Sequence, residues 1–495
     1  MQLRIKTLKF LTGRPVCMIH EQTAKELSLH VGNRISIKNK KGKEIISIID
    51  TVSEIIKPSQ IAVSCDITAY LNLKNNNKVE VELIKKPNSI NIIKKKLEGH
   101  RLDKKEITEI IENIANNSLT EVEIAFFIAA VHMKGMSMTE TKHLTNAMVN
   151  TGNTLKLKGK IFDKHCIGGI AGNRTTPLVV SICAAAGLRM PKTSSRAITS
   201  ASGTADVIEA IADIEFTLKD IKKIVSKTNA CLVWGGALGL APTDDKIIKI
   251  ERIVNIDSTA QLLASILSKK ISVGSKYILI DIPYGKSAKV SKKQAEKLKT
   301  AFEDVSEKFD LKLKVILTDG SEPIGNGIGP ILEIKDIIKV LKRTPDAPKD
   351  LEEKSILLAG ELLEMGKKAK RNNGEDLARQ ILDSGQALKK FEQIIKAQNG
   401  DINKANKTKT PPFSYNIKAK RKTKIKHWDN KLVNKLARFA GCPEDKAAGV
   451  FLHKKQGESA EKSKPILTIY ATSKEKLKHA KKFYNENKRE LVEFR

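Results

Sequence analysis

The stretch that decides the fold runs Asp163-Lys-His-Cys-Ile-Gly-Gly-Ile-Ala-Gly-Asn-Arg-Thr-Thr-Pro177, and the apolar segment Leu178–Gly187 follows it. Its glycines permit close backbone approach, and Thr-Thr-Pro suits a helix start with a threonine as N-cap and the proline first. Free N–H groups and the helix dipole at such a start attract an anion. The segment predicts a strand–loop–helix junction that binds an anion, with Lys164 and Arg174 supplying positive charge. A plain tight turn is the alternative.

A second segment of the same kind follows, Lys192-Thr-Ser-Ser-Arg-Ala-Ile-Thr-Ser-Ala-Ser-Gly-Thr-Ala-Asp206, with a helix predicted over Ala205–Ile211. Two such junctions, about thirty residues apart, would face the end of a sheet where α/β proteins bind ligands. Neither matches the phosphate-loop NTPase pattern or the dinucleotide fingerprint. ATP hydrolysis and NAD chemistry are therefore disfavoured.

The whole chain of 495 residues predicts a multidomain α/β protein. Five short β runs separated by turn signals come first, then helical periodicity, then alternating strands and helices, and finally a tail that mixes both. The predicted N-terminal strands are Leu3–Leu8, Pro15–His20, Arg34–Lys38, Glu44–Asp50 and Val79–Ile84, and later predictions include a strand over Tyr277–Ile282 and a helix over Asn430–Ala440. Before Pro411-Pro412, the polar stretch Asn399–Thr410 is typical of a linker. We therefore expect a small β-rich domain over 1–86, a helical domain over 87–160 with a later return near 240–272, an α/β phosphate-binding domain with a mixed sheet over 161–400, and an α+β domain over 413–495.

The charge is strongly positive, with 89 Lys+Arg against 56 Asp+Glu and a formal net charge of +33. Residues 411–495 carry more than their share, and the densest run is Lys418–Lys426. Few aromatic residues interleave with these cations, which favours a solvated basic surface over a nucleic-acid partner. The six cysteines form no CxxC pair, so reduced thiols and a cytoplasmic protein are expected. No apolar run is long enough for a membrane helix, and no signal core opens the chain.

Downstream, Asp257 ends a short run and Gln261–Lys270 predicts a helix. Ser265 and Lys269 share one face of it at i, i+4 spacing. From spacing alone, we expect the Ser265 hydroxyl to hydrogen-bond to a backbone carbonyl of its own helix and the Lys269 ammonium to lie in solvent.

Together these motifs resemble the thymidine/pyrimidine-nucleoside phosphorylases, in the long branch of the archaeal-type AMP phosphorylases. The resemblance covers most of the chain. It rests on the first loop and on Pro191-Lys-Thr-Ser-Ser-Arg-Ala-Ile-Thr-Ser200, Gly203-Thr-Ala-Asp206, Val233-Trp-Gly-Gly-Ala-Leu238, Ala264-Ser-Ile-Leu-Ser-Lys-Lys270 and Leu467-Thr-Ile-Tyr-Ala471.

The resemblance implies reversible phosphorolysis, in which phosphate attacks C1′ of the ribosyl group and the base leaves. No cofactor and no metal are implied. Asp257 takes the proton-donor position, and His165 is the competing acid. The phosphate-binding positions are Lys164, Thr176, Ser194 and Thr204. The nucleotide-site positions are Gly169, Ser195, Arg196, Ala197, Ile198, Thr199, Ser200, Thr204, Ser265 and Lys289.

This chain departs from the family pattern at three positions. Cys166 stands where a phosphate-binding serine is usual, and a thiol is the weaker hydrogen-bond donor. Ala171 replaces a common proline, and Gly239 replaces a common asparagine.

Two observations favour a nucleotide over a nucleoside. Lys249 and Ile250 stand where the pyrimidine enzymes have an arginine that reads the base, and Lys289 stands where they have an apolar residue. An added lysine indicates an added anion such as a 5′-phosphate. We expect phosphate and AMP as substrates, adenine and ribose 1,5-bisphosphate as products, and a homodimer or larger homo-oligomer.

Three other interpretations remain open. The nearest is a thymidine or pyrimidine nucleoside phosphorylase. A basic nucleic-acid-binding protein without catalysis is weaker, resting on Cys166 and the net charge. Chemistry like that of anthranilate phosphoribosyltransferase is weakened because these loops lack an acidic metal-binding pair.

Overall fold

The computed structural model describes residues 1–10, 13–197, 200–254, 256 and 258–495. They divide into two compact units, Met1–Gly152 with Ala241–Ser265, and Asn153–Leu240 with Ile266–Arg495. Within this described part of the chain, no helix is both long and apolar enough to cross a membrane.

The first unit begins with a closed six-stranded barrel in the order β1-β5-β2-β4-β3-β6. Alternate residues of β1, such as Leu3 and Ile5, point into its buried core. The sequence predicts five of these strands, but not β5. The strands are β1 (Gln2–Leu8), β2 (Cys17–His20), β3 (Arg34–Lys38), β4 (Glu44–Val52), β5 (Gln60–Ser64) and β6 (Lys78–Ile84), with helices α1 (Glu21–Glu26) and α2 (Cys65–Leu71).

Helices complete the first unit. Capping boxes at Asp103, Thr120 and Ser137 start three of them, because each cap is followed three residues later by a glutamate. Their apolar faces form one core that also includes Ile247 and Ile250. The helices are α3 (Ser89–Leu97), α4 (Lys104–Ala115), α5 (Glu121–Lys134) and α6 (Met138–Asn150), with two later ones at Pro242–Val254 and Thr259–Val273.

The second unit is built on a parallel sheet. Strand β10 pairs in parallel with β11 on one side and with β7 on the other, and β8 pairs in parallel with β9. A parallel bridge from Ile161, just before β7, to Arg189, just before β8, joins the three-stranded group to the two-stranded one. The elements are β7 (Phe162–Cys166), α7 (Thr175–Ala185), β8 (Met190–Ser194), α8 (Thr204–Glu209), α9 (Leu218–Thr228), β9 (Ala230–Trp234), β10 (Tyr277–Tyr284), α12 (Lys292–Glu307), β11 (Lys312–Asp319), β12 (Gly327–Ile328), α13 (Pro330–Leu341), α14 (Lys349–Met365), α15 (Gly374–Asp383), α16 (Gln386–Ala397) and α17 (Lys404–Lys407). The two later helices named above are α10 (Pro242–Val254), which belongs to the first unit, and α11 (Thr259–Val273), which begins in the first unit and ends in the second.

Three details of this region differ from expectation. The sheet is parallel rather than mixed, because the antiparallel strand β12 pairs with a strand of the C-terminal part instead. Helix α7 begins at Thr175 with Arg174 as its N-cap residue, so Pro177 is its third residue. The predicted linker is not structureless, since Ile402 and Ala405 pack into the apolar core around α7.

The C-terminal part of the second unit carries two small sheets, β12-β15-β17-β13 and β16-β14-β18. The basic run Lys418–Lys426 spans the end of β13, a turn and the start of β14. The elements are β13 (Phe413–Lys418), β14 (Thr423–Trp428), α18 (Asn430–Ala440), β15 (Gly449–Leu452), β16 (Ser459–Ala460), β17 (Pro465–Ala471), α19 (Lys474–Leu491) and β18 (Val492–Phe494).

Candidate active site

Three loops follow the neighbouring parallel strands β10, β7 and β8, so they leave the same edge of the sheet. Two of them touch at Gly169 and Lys289, because a Cβ atom built on Gly169 would lie 2.9 Å from the backbone nitrogen of Lys289. Gly169 also has φ +95°, which a side chain would strain. Glycine is therefore required here for the two loops to approach each other.

Lys164 is a buried ammonium on β7 that reaches the start of α7. Its Nζ donates to Thr175 Oγ1 at 2.8 Å and lies 3.9 Å from Asp281 Oδ2. Burial lowers the pKa of Lys164, against the opposing field of Asp281. Asp281 also accepts from Thr318 Oγ1 at 2.6 Å and lies 3.2 Å from Lys354 Nζ. Lys164 is thus a cation at the start of a helix, where the sequence predicts a binding site for an anion.

A second buried ion group lies on the other side of β7. Asp163 contacts Lys192 Nζ at 2.9 Å through Oδ1 and Lys270 Nζ at 2.8 Å through Oδ2. Lys192 also donates to the carbonyl of Lys164 at 2.8 Å. Burial acts to raise the pKa of Asp163, but these two lysines outweigh it and lower the pKa. Burial likewise lowers the pKa of Lys270, to about 7.

Together the two groups form what we call the buried ion cluster. Its six members are at most 9% exposed, and they carry two more positive than negative charges when all are ionised. Uncompensated buried charge is unfavourable, so the cluster favours binding of an anion nearby. The members are Lys164, Lys192, Lys270, Lys354, Asp163 and Asp281.

His165 follows Lys164 on β7, where it is paired in register with Ile280 of β10. Burial, together with the field of Lys270 and Lys192, lowers the pKa of His165 well below its ordinary value. The imidazole is therefore neutral at pH 7, so it is a poor source of a proton and can serve as a hydrogen-bond donor or acceptor.

Hydroxyl and thiol groups lie in the first loop, at the start of α7 and at the end of β8. Cys166 Sγ accepts from the backbone N–H of Gly168 at 3.5 Å and from Asn173 Nδ2 at 3.4 Å. Thr176 is largely buried in the first turn of α7. At the end of β8, the buried Ser194 Oγ has no hydrogen-bond partner among the described residues. A buried hydroxyl in that state is suited to a ligand oxygen.

The second loop is held by Asp206 and Glu209. Asp206 Oδ2 accepts from the backbone N–H groups of Ala197 at 2.6 Å and Gly203 at 2.8 Å. Glu209 accepts two bonds from Arg196, at 2.7 and 2.6 Å, and Arg196 also stacks over the Trp234 ring. This bidentate pairing holds Arg196 within the loop, and the carboxylate of Glu209 neutralises the charge of its guanidinium.

Arg174 ties the first loop to the second. Its Nη1 donates to Thr204 Oγ1 at 3.0 Å and its Nη2 donates to the carbonyl of Ser202 at 2.8 Å. Its Nε pairs with Glu333 Oε2 at 2.6 Å. The charge of Arg174 is therefore balanced by Glu333, and its fork fixes the spacing of two loops.

Comparison with known proteins agrees with this architecture. Two domains of the glycosyl transferase family match this chain. The helical bundle domain of that family matches residues 90–152, and its a/b domain matches residues 158–388. A pyrimidine nucleoside phosphorylase C-terminal domain matches residues 425–489. An AMP phosphorylase from Thermococcus kodakarensis is 42% identical over 97% of this chain and 95% of its own length. An AMP phosphorylase from Methanococcoides burtonii is 40% identical over 100% of this chain and 97% of its own length.

The chain belongs to the thymidine/pyrimidine-nucleoside phosphorylase family, in its AMP phosphorylase branch. A crystal structure of anthranilate phosphoribosyltransferase from Thermus thermophilus shares the fold, with a TM-score of 0.52 and 18% identity. That match covers 62% of this chain and 99% of the other. Members of this family are pentosyltransferases, so the chain is an enzyme of the transferase class.

Several family positions can be located in the structure. Gly239, where asparagine is common, has φ +58°, a left-handed conformation that both residue types tolerate. Ser195 is exposed, and Ser200 Oγ donates to the carbonyl of Ser202 at 2.9 Å. Ser265 lies on α11 in the first unit. Asp257, Ile198 and Thr199 lie outside the described residues, so their assigned roles stay predictions.

Sequence reasoning assigns no role to Lys192, Lys354, Asp163 or Asp281. One signal could have found Asp281, because it is a carboxylate inside the apolar strand Tyr277–Tyr284. A charge in a strand that is buried on both faces requires a partner. Lys354 lies on α14, more than seventy residues further along, and no local pattern connects the two.

Proposed function

We propose that this enzyme catalyses reversible phosphorolysis of a nucleoside 5′-monophosphate, converting AMP and phosphate to adenine and ribose 1,5-bisphosphate, in nucleotide salvage or degradation. One observation carries the proposal at the site. The buried ion cluster places surplus positive charge under a glycine-rich loop and a helix start. The AMP phosphorylases that match almost the whole chain support the same substrate.

The reaction needs one anion to be held as nucleophile. An oxygen of HPO₄²⁻ bonds to C1′ while the bond from C1′ to the base nitrogen breaks, and the electron pair of that bond goes to the base. The phosphate loses one proton and the base gains one, so no net proton is consumed. In this proposal Lys164, Thr176, Ser194 and Thr204 hold the phosphate, through one charge-assisted bond and several hydroxyl bonds.

Protonation of the leaving base is assigned to Asp257. Its competitor His165 has a pKa well below its ordinary value, because burial and neighbouring lysines disfavour the imidazolium. A neutral imidazole is a poor proton donor at pH 7, whereas the carboxyl of Asp257 can act as general acid once its pKa is raised well above the ordinary value of about 3.9. This supports Asp257 as the donor.

Recognition of the 5′-phosphate is assigned to Lys289. The residue is exposed in the loop after β10, and its backbone contacts Gly169 in the glycine-rich loop. An ammonium at the rim suits a second phosphate group, while the buried cluster suits the first. The remaining nucleotide-site positions, including Ser195–Ser200 and Ser265, are proposed on the family resemblance.

The decisive experiment mixes purified protein with inorganic phosphate and, in separate reactions, AMP, CMP, UMP or thymidine, and assays free base. We expect base release from AMP that depends on phosphate, with ribose 1,5-bisphosphate as the second product. Release from thymidine but not from AMP would establish the alternative, a nucleoside phosphorylase.

We further propose that the protein forms a homodimer or a larger homo-oligomer. Helix α5 exposes Val122, Phe126 and Met133 at 65%, 53% and 75%, and their spacing places them along one apolar stripe. Light scattering of the wild type against Phe126→Glu tests this. A monomer in both cases would exclude it.

We also propose a cytoplasmic location. All six cysteines are free thiols in the structure, and Cys17, Cys183, Cys231 and Cys442 are buried. Buried free thiols are typical of a reducing compartment. Fractionation of cells that express the natural protein tests the assignment.

A further inference from the structure

Helix α18, in the C-terminal part of the second unit, contacts the candidate site through two asparagines. Asn430 is its first residue and is fully buried, and Asn434 lies one turn later at 6% exposure. The side chain of Asp429 caps the helix by accepting from Leu432 N at 2.8 Å. Because a helix has a fixed rise per residue, the two amides are held at a fixed separation.

Asn430 binds the backbone of the first loop. Its Oδ1 accepts from the N–H of Ala171 at 3.0 Å, two residues beyond Gly169. Ala171 is itself fully buried and packs into the apolar core that α18 shares. The family commonly has proline here, which has no N–H to donate. The bond is therefore made possible by the alanine of this chain.

The same side chain reaches the loop that carries Lys289. Asn430 Nδ2 donates to Ser287 Oγ at 3.0 Å and to the carbonyl of Gly320 at 3.0 Å. The backbone N–H of Asn430 also donates to Ser287 Oγ, at 3.1 Å. One buried amide thus links the loop after β7 to the loops after β10 and β11.

Asn434 binds the second loop. Its Oδ1 accepts from the backbone N–H of Ala201 at 2.9 Å. Ala201 precedes Ser202, whose carbonyl accepts from Arg174 of the first loop. Ala201 is 1% exposed, so without this acceptor its N–H would be buried and unpaired. The loop would then have to shift to satisfy it.

We propose that Asn430 and Asn434 are positioning residues, which set the relative places of the loops after β7, β8 and β10 and so align the two substrates. The link to catalysis rests on the proposed function. The argument is geometric: both amides bond to loop backbone next to the candidate site residues. Displacement of reacting groups by about 1 Å can reduce turnover on the order of 100-fold.

The test compares three variants. Asn434→Leu keeps the size of the side chain but has no acceptor. Asn434→Asp keeps an acceptor oxygen at the same place. Lys435→Leu is the matched control, because Lys435 is the next residue of the same helix and its side chain is exposed.

Two measurements are made on each purified full-length variant. The first is backbone hydrogen exchange without substrates in peptides covering residues 168–174 and 200–206. The second is kcat and KM for phosphate and AMP, at a temperature where thermal unfolding shows every variant to be folded.

For Asn434→Leu we expect faster exchange at residues 200–206 and a fall in kcat of about 10- to 100-fold, larger than the change in either KM. Asn434→Asp should recover most of the kcat, and Lys435→Leu should match the wild type. Wild-type exchange and kcat in Asn434→Leu would overturn the proposal, as would an aspartate variant as impaired as the leucine one. If the wild type fails to phosphorolyse any nucleotide, the proposed function fails, and the exchange data alone still decide whether Asn434 positions the loop.

Discussion

Arg174 Nε and Glu333 Oε2 lie 2.6 Å apart where the loops after β7 and β8 meet, and Arg174 also binds Ser202 and Thr204. Because an ammonium lacks the planar fork, Arg174→Lys should keep the charge but lose at least one loop contact. We expect the free energy of unfolding to fall by about 1–3 kcal/mol, and kcat/KM for phosphate to fall with it. Denaturant unfolding and initial rates measure the two effects.

The control for this substitution is Arg343→Lys. Arg343 pairs with Glu352 and Asp383 at the surface and is 36% exposed, so its pairs contribute about 0–1 kcal/mol. Equal effects of the two substitutions on rate would show that Arg174 does not join the loops.

Replacing Lys164 tests the buried cation at the start of α7. Lys164→Met keeps the length of the side chain and removes the charge. A hydrogen bond to a charged group contributes about 1.5–3 kcal/mol, so KM for phosphate should rise about 10- to 100-fold. Steady-state kinetics with varied phosphate measure this, and Lys297→Met, at an exposed position of α12, serves as control. An unchanged KM would remove Lys164 from the phosphate site.

Asp257→Asn and His165→Asn separate the two candidate proton donors. We expect Asp257→Asn to lose most turnover while phosphate binding, measured by calorimetry, stays nearly intact. Because the His165 pKa lies well below its ordinary value, the pH profile of kcat should show no histidine limb near the usual histidine pKa of about 6.5. A limb there that disappears in His165→Asn would transfer the acid role to the histidine.

Cys166→Ser tests the departure from the family pattern. The thiol accepts weak bonds from Gly168 and Asn173 in the first loop. A hydroxyl is a stronger donor, so the variant should bind phosphate more tightly by about 0.5–1.5 kcal/mol, or about 2- to 10-fold in KM. Cys166→Ala, which has no donor, is the comparison. If serine weakens phosphate binding, the thiol position is not turned toward the anion.

Asp336→Asn should stabilise the protein above pH 6. Burial raises the pKa of Asp336 to about 6, above the ordinary 3.8, although Asn326 and Gly327 donate N–H bonds to it. The folded state therefore binds the extra proton between those values, and stability falls as pH rises from about 4 to 6.

The asparagine keeps an acceptor without the charge. We expect a gain of about 2–3 kcal/mol at pH 7–8 that disappears by pH 4, since one pKa unit corresponds to about 1.4 kcal/mol. Urea unfolding across pH 4–8 measures this. A gain that is the same at every pH would exclude ionisation of Asp336 as the cause.

The elements that the sequence predicts well are those with a strong local signal. The glycine-rich loop, the helix Asn430–Ala440 and the strand that starts at Tyr277 all lie where they are predicted. Strand β5 (Gln60–Ser64) escapes prediction because it is short, begins at a polar residue and runs directly into α2.

The remaining features depend on contacts between distant residues. Gln398 follows the last turn of α16, and its amide bonds to Leu232 and to the carbonyl of Asp213, both more than 160 residues earlier in the chain. Polar composition alone makes the following segment look like a linker. Likewise, an asparagine on a helix gives no sign of which loop it will meet.

The buried ion cluster makes the ligand-free enzyme electrostatically frustrated. Burial, with the field of Lys192 acting in the same direction, lowers the pKa of Lys270 to about 7 from the ordinary 10.5. We expect a bound anion to offset the excess positive charge of the cluster and thereby to stabilise the folded enzyme. A site of this kind selects its ligand by charge more than by shape. We therefore expect other small anions, sulfate first, to compete with phosphate for binding near the buried ion cluster.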